Sequence, residues 1–128
     1  MIKKILFSIS IVTLLVACGG QQDPTNAVIH EANKPVNVEG RKLFTSLCAS
    51  CHMVNKELTG PALKGVEGRW ADRALLYEFV RNSQAVIAKD EYSKNLFMKY
   101  NQTVMTPFGS LTDADIDNIL EYINSVSN

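Results

Sequence analysis

Residues 48 to 52 read Cys-Ala-Ser-Cys-His, two thiols three positions apart with an imidazole directly after them. Three kinds of chemistry use such a set. A C-x-x-C pair acts as a thiol–disulfide couple when it opens a helix inside a βαβ unit, because the helix dipole there lowers a thiol pKa. Here the pair falls at the end of a predicted helix, and no strand pattern precedes it. A structural zinc site takes four ligands, usually as two separated pairs. The remaining Cys and His are Cys18 and His30, far apart and both near the N-terminus. The third chemistry uses all three side chains: each thiol adds to one vinyl group of a haem, and the histidine is carried beneath the ring to bind iron.

Covalent attachment of that kind needs thiols presented on an exported, unfolded chain, and the N-terminus reads as an export signal. Lys3 and Lys4 precede ILFSISIVTLLVA at positions 5–17, too short an apolar run for a spanning helix of about 20 residues. Leu15-Val16-Ala17-Cys18 resembles the lipobox of bacterial lipoproteins, in which the cysteine thiol carries a diacylglycerol. The alternative is a buried cysteine in an ordinary secretory signal. The expected organisation is a lipoprotein signal peptide over 1–17, a flexible tether over 18–37 starting at lipidated Cys18, and a domain over 38–128. The tether is GGQQDPTNAVIHEANKPVN, rich in Gly, Gln, Asn and Pro, and His30 within it reads as a solvated linker residue. Acyl chains at Cys18 would hold the protein at a bilayer without spanning it, facing the periplasm or extracytoplasmic space.

The domain must position these groups with helices. Residues 39–51 place Leu43, Phe44, Leu47, Cys48 and Cys51 on one stripe, and further helices are expected at 72–82, at 89–100 and from the Thr112-Asp113-Ala114-Asp115 capping box onwards. TGPALKGVEG at 59–68 and residues 101–111 read as loops. No stretch alternates with period two, so the domain is all-α: about four short helices with long loops. Some ninety residues in that form bury only about two thirds of their surface. A prosthetic group is expected to fill the thin core.

The full chain of 128 residues has 13 basic and 13 acidic side chains, and loss of Lys3 and Lys4 with the signal leaves a net of about −2. That balance argues against a nucleic-acid partner and gives no strong steering by charge. Arg69 and Trp70, just past the glycine loop, could donate to haem propionates; Trp70 could equally be core. Tyr77, Tyr92, Tyr100 and Asn101 could line the pocket.

GRKLFTSLCASCH at 40–52, TGPALKG at 59–65, VMTPFG at 104–109 and LTDADIDNILEYI at 111–123 together resemble a class I cytochrome c over residues 38–128. The resemblance implies a small cytochrome c fold, with N-terminal and C-terminal helices packed together around one covalently bound haem c. It implies Cys48 and Cys51 as attachment points, His52 as one axial ligand and a methionine from a late loop as the other. Met105 matches that position. Met98, in a predicted helix beside Phe97, is the alternative ligand and otherwise a core residue; Met53 follows the histidine on the same side of the ring. The resemblance also implies that the Pro61 carbonyl accepts from the His52 ring, although Pro61 could simply form a turn.

The function expected is a single-haem electron carrier, not an enzyme, exchanging electrons with redox proteins or respiratory complexes of the membrane. Monomer is the default. Two alternatives stand beside it: a haem enzyme or gas sensor with a displaceable sixth ligand, and a fixed haem subunit of a larger oxidase.

Overall fold

A computed structural model describes residues 35–127, which contain α-helices, short tighter or wider turns and loops, and no strand among the described residues. The proposed signal peptide, Cys18, His30 and most of the tether lie outside the described residues. Helix α1 runs Val38–Leu43 and continues as a wider π-type turn, Phe44–Cys48. After a loop and a short 3-10 turn at Glu67–Arg69 come α2 (Arg73–Arg81), α3 (Ser83–Ile87), α4 (Glu91–Lys99) and α5 (Asp113–Ser125).

Helix α3 is an addition to the four elements expected from sequence. Its five residues are too few to show a period, yet the Asn82 side chain caps it by accepting from the Ala85 N–H at 3.3 Å. The first helix also ends earlier than expected, at Cys48 instead of residue 51. Thr45 and Ser46 explain this: their hydroxyls donate to the carbonyls of Arg41 and Lys42, four residues back, at 2.8 and 3.0 Å. Such bonds compete with the backbone ladder and open the helix. The Ala49 N–H then reaches the Phe44 carbonyl, five residues back, at 3.0 Å. The sequence that follows is free to turn sharply.

Helices α1 and α5 cross at Gly40. A Cβ at that position would stand 1.8 Å from the backbone oxygen of Asn118, so only glycine lets the two backbones meet. Asn37 secures the crossing, donating to Asn118 Oδ1 at 2.9 Å and Glu121 Oε2 at 2.8 Å. The Phe44 and Tyr122 rings meet across it at a tilt of 49° with centroids 5.3 Å apart. The capping box of α5 forms, with Asp115 N–H donating to Thr112 Oγ1 and Thr112 N–H donating to Asp115 Oδ2. Beneath the crossing, Ile116, Ile119, Leu120 and Ile123 of α5 are buried against Phe44, Leu76 and Leu111. Burial of each such side chain contributes about 1.5–3 kcal/mol.

Candidate functional site

The apolar faces of α2 and α5 do more than meet each other; they also wall a cavity of about 190 Å³. Leu76, Phe79 and Val80 of α2 and Ile119 and Ile123 of α5 line it, with Leu96 of α4 closing another side. Cys48, Cys51, His52, Pro61, Arg69, Trp70 and Met105 all border this one space. They come from four separate parts of the chain.

The Cys-Ala-Ser-Cys-His turn is held by the Cys48 carbonyl, which accepts from both Cys51 N–H and His52 N–H at 3.1 and 3.0 Å. Cys48 and Cys51 are free thiols, so neither is engaged in a disulfide. Burial pushes the Cys48 thiol up to about 11, because the apolar wall disfavours the thiolate. Among the described residues, no group of three or more His, Cys, Asp or Glu is placed to hold a metal ion.

The following loop folds back on the turn, with Gly60 N–H donating to the Cys51 carbonyl at 2.9 Å. His52 Nδ1 then donates to the Pro61 carbonyl at 2.9 Å. A carbonyl can only accept, so the proton sits on Nδ1 and the Nε2 lone pair is left for a metal. Gly60 packs close against the imidazole, where a Cβ would come within 2.4 Å of Cε1. The ring is therefore fixed by a hydrogen bond to Pro61 and by the close approach of Gly60.

Of the three methionines among the described residues, Met105 alone lines the cavity; Met98 is 58% exposed and Met53 is 38% exposed. Met98 is thus not the core residue expected, because the end of α4 turns that position to the surface. Trp70 packs its ring on Phe79 and Tyr92, with centroids 4.8 and 5.1 Å away, and its Nε1–H is buried without a hydrogen-bond partner. Arg69 borders the same space but spends one guanidinium nitrogen on the Ala62 carbonyl at 2.7 Å. Tyr92 and Tyr100 line the cavity. Tyr77 and Asn101 do not: the Tyr77 hydroxyl turns away to Asp117, which also accepts from Arg73. Asn101 takes a left-handed conformation, φ 55°, that ends α4.

Three positions matter here that the sequence did not single out. Gly40 and Gly60 are defined by what touches them from elsewhere, and the buried Ser83, whose hydroxyl donates to the Met105 carbonyl at 3.0 Å, bonds across 22 residues. Only the Gly-Pro pair at 60–61 carried a local sign of a tight turn.

Two thiols, an imidazole with one nitrogen free, a thioether and a buried indole N–H that lacks an acceptor converge on a largely apolar cavity. These residues fit a flat apolar macrocycle with a metal centre and acidic substituents. The class so defined is a small helical domain built around a covalently attached haem. The chain belongs to the cytochrome c family, whose model matches residues 38–127. It is similar to a cytochrome c from Rhodothermus marinus, with 29% identity and a TM-score of 0.59 over 68% of this chain and 72% of that one. An engineered form of that cytochrome bound to a carbene intermediate matches at 26% identity and a TM-score of 0.55, over 68% of this chain and 72% of that one. A cytochrome c domain of a Pseudomonas putida protein matches at 30% identity and a TM-score of 0.53, covering 66% and 83% of the two chains. No curated protein matches the sequence. The domain is thus a single-haem class I cytochrome c with haem c attached through the C-x-x-C-H motif, and it serves electron transport.

Proposed function

We propose that this protein is a membrane-tethered electron carrier in which His52 and Met105 are the two axial ligands and Cys48 and Cys51 the thioether attachment points. The observation that carries this reading is the fixed His52 ring, oriented by Gly60 and Pro61, in the same cavity as the Met105 side chain. Haem c bound there supplies a one-electron iron couple. His52 and Met105 together leave no coordination position for a substrate, so the protein is not an enzyme. A thioether opposite an imidazole favours the reduced state relative to two imidazoles. Trp70 Nε1–H and Arg69 would serve as donors to the acidic substituents of the haem, and the apolar walls would exclude water from its metal.

Export and lipidation complete the proposal. Cys18 carries acyl chains after loss of residues 1–17, and residues 18–37 tether the domain on the extracytoplasmic side of a bacterial membrane. Partners are redox proteins or respiratory complexes of that membrane, met through small transient interfaces. Tethering raises the local concentration of domain and partner.

The test combines two measurements. Oxidised wild-type protein should show the weak far-red thioether-to-iron absorption, lose it in Met105→Ala, and resist carbon monoxide at neutral pH when reduced; rapid carbon monoxide binding would favour an enzyme or sensor instead. Cys18→Ser should move the protein from the membrane to the soluble envelope fraction, and persistence in the membrane would remove the lipid anchor.

A further inference from the structure

Ser83 is 1% exposed, at the start of α3, and its hydroxyl donates to the Met105 carbonyl at 3.0 Å. The loop that carries Met105 leaves α4 through two consecutive residues in the left-handed conformation, Asn101 at φ 55° and Gln102 at φ 57°. Neither is glycine, so this departure is strained. Beyond it, Thr103 and Val104 are exposed. Among the described residues, two hydrogen bonds join the segment 104–108 to the α2–α3 wall: Ser83 Oγ–H to the Met105 carbonyl, and Phe108 N–H to the Val80 carbonyl at 3.3 Å. The first is the shorter, lies at the methionine itself and has its donor in a buried side chain.

We infer that Ser83 is a positioning residue that clips the Met105 backbone to α3 and so sets how readily the thioether leaves the metal. This rests on the reading of Met105 as the axial ligand and adds to it the part of the protein that holds the ligand in place. The reasoning is one of competition. A ligand on a strained, exposed loop is displaced by an external donor once the loop swings away. The bond from Ser83 must break for that swing, and the swing leaves the buried Ser83 hydroxyl without its acceptor. α3 thereby gains a role, since its five residues hold Ser83 beside the loop while Val86, one turn on, is fully buried and fixes the helix against the domain.

The experiment is a titration of oxidised holoprotein with imidazole, followed by loss of the far-red absorption, in wild type, Ser83→Ala and Ser93→Ala. Ser93 is a matched control: it is 0% exposed, and its hydroxyl donates at 3.0 Å to the Asp90 carbonyl at the start of its own helix. Both substitutions delete one buried hydroxyl, but only Ser83 touches the Met105 loop. The expected result is an imidazole affinity about tenfold higher in Ser83→Ala, near the strength of one buried hydrogen bond, with Ser93→Ala within about twofold of wild type. Ser83→Thr, which keeps the hydroxyl, should fall closer to wild type than Ser83→Ala. Equal affinity in all variants, or an equal rise in Ser83→Ala and Ser93→Ala, would overturn the inference. Met105→Ala separates the two layers: if it keeps the far-red absorption, the ligand reading and the inference fall together. If the absorption is lost while Ser83→Ala titrates like wild type, the inference alone falls.

Discussion

Gly60 packs directly against the His52 imidazole: a methyl group at position 60 would lie 2.4 Å from Cε1, 2.9 Å from Nδ1 and 3.0 Å from Nε2 of the ring. No side chain fits there. The contact orients the ring so that Nδ1 meets the Pro61 carbonyl, and it makes a backbone position as much a part of the site as the histidine. Gly60→Ala should tilt the ring and weaken that bond. A less strongly bonded imidazole is a poorer electron donor, so oxidised iron loses support and the reduction potential rises. With about 1 kcal/mol at stake, the rise should be roughly 40 mV by redox titration. An unchanged potential would mean the loop yields without disturbing the ring.

The crossing of α1 and α5 makes a different prediction, about stability and not potential. Gly40→Ala drives a methyl into the Asn118 carbonyl, and neither backbone can give way without parting the helices. A loss of about 3 kcal/mol is expected. For a domain of this size that lowers the melting temperature by roughly 10 °C or more, measured by circular dichroism on the holoprotein.

Trp70 separates packing from hydrogen bonding. Trp70→Phe keeps an aromatic ring beside Phe79 and Tyr92 and removes the buried Nε1–H. If that donor serves a haem carboxylate, its loss leaves the negative charge less neutralised, which favours oxidised iron. The reduction potential should fall by some 40–60 mV, the equivalent of about 1 kcal/mol, the net strength of one ordinary hydrogen bond. The opposite sign from Gly60→Ala makes the pair of variants mutually controlling.

Asp117 gives the acid response. The Tyr77 hydroxyl, and then the Arg73 guanidinium, hold its carboxyl below the usual carboxylate range. A depressed folded-state pKa means that the interaction stabilises the fold above the ordinary Asp value near 4 and is lost as pH falls through the folded value. Asp117→Asn should therefore lower the melting temperature at pH 7 by about 2–5 °C, a modest effect because the carboxylate is 45% exposed. The gap from wild type should close below pH ~4. A gap that stays constant from pH 7 to pH 3 would rule out the charge as its source.

Several features were readable from local pattern alone. Cys48, Cys51 and His52 are adjacent in the chain, so their shared chemistry needs no fold to be recognised. The α5 capping box and the buried Ile116, Ile119 and Ile123 follow from helical spacing, and the loop at 59–68 follows from its glycines and proline. α3 escaped because five residues cannot display a period of 3.6. Met98 reads as core from its place beside Phe97, yet the end of α4 turns it to solvent. Tyr77, one of four residues that sequence offers as pocket lining, does not line it: its hydroxyl is claimed by Asp117, 40 residues away.

What the sequence by itself determined is the chemistry on offer: two thiols and an imidazole in one turn, helices of particular polarity, and methionines of which one lies in a late loop. Tertiary structure alone decided which of these meet. The placement of Met105 in the cavity, the backbone of Gly60 against His52, the approach of Gly40 to Asn118 and the bond from Ser83 are contacts between residues 8 to 78 positions apart in the chain. The physical reason is range. Propensity, capping and motif spacing act within a few residues, while the angle of an imidazole or the hold on a loop is set by steric and hydrogen-bond partners that only folding brings within 3 Å or so of each other.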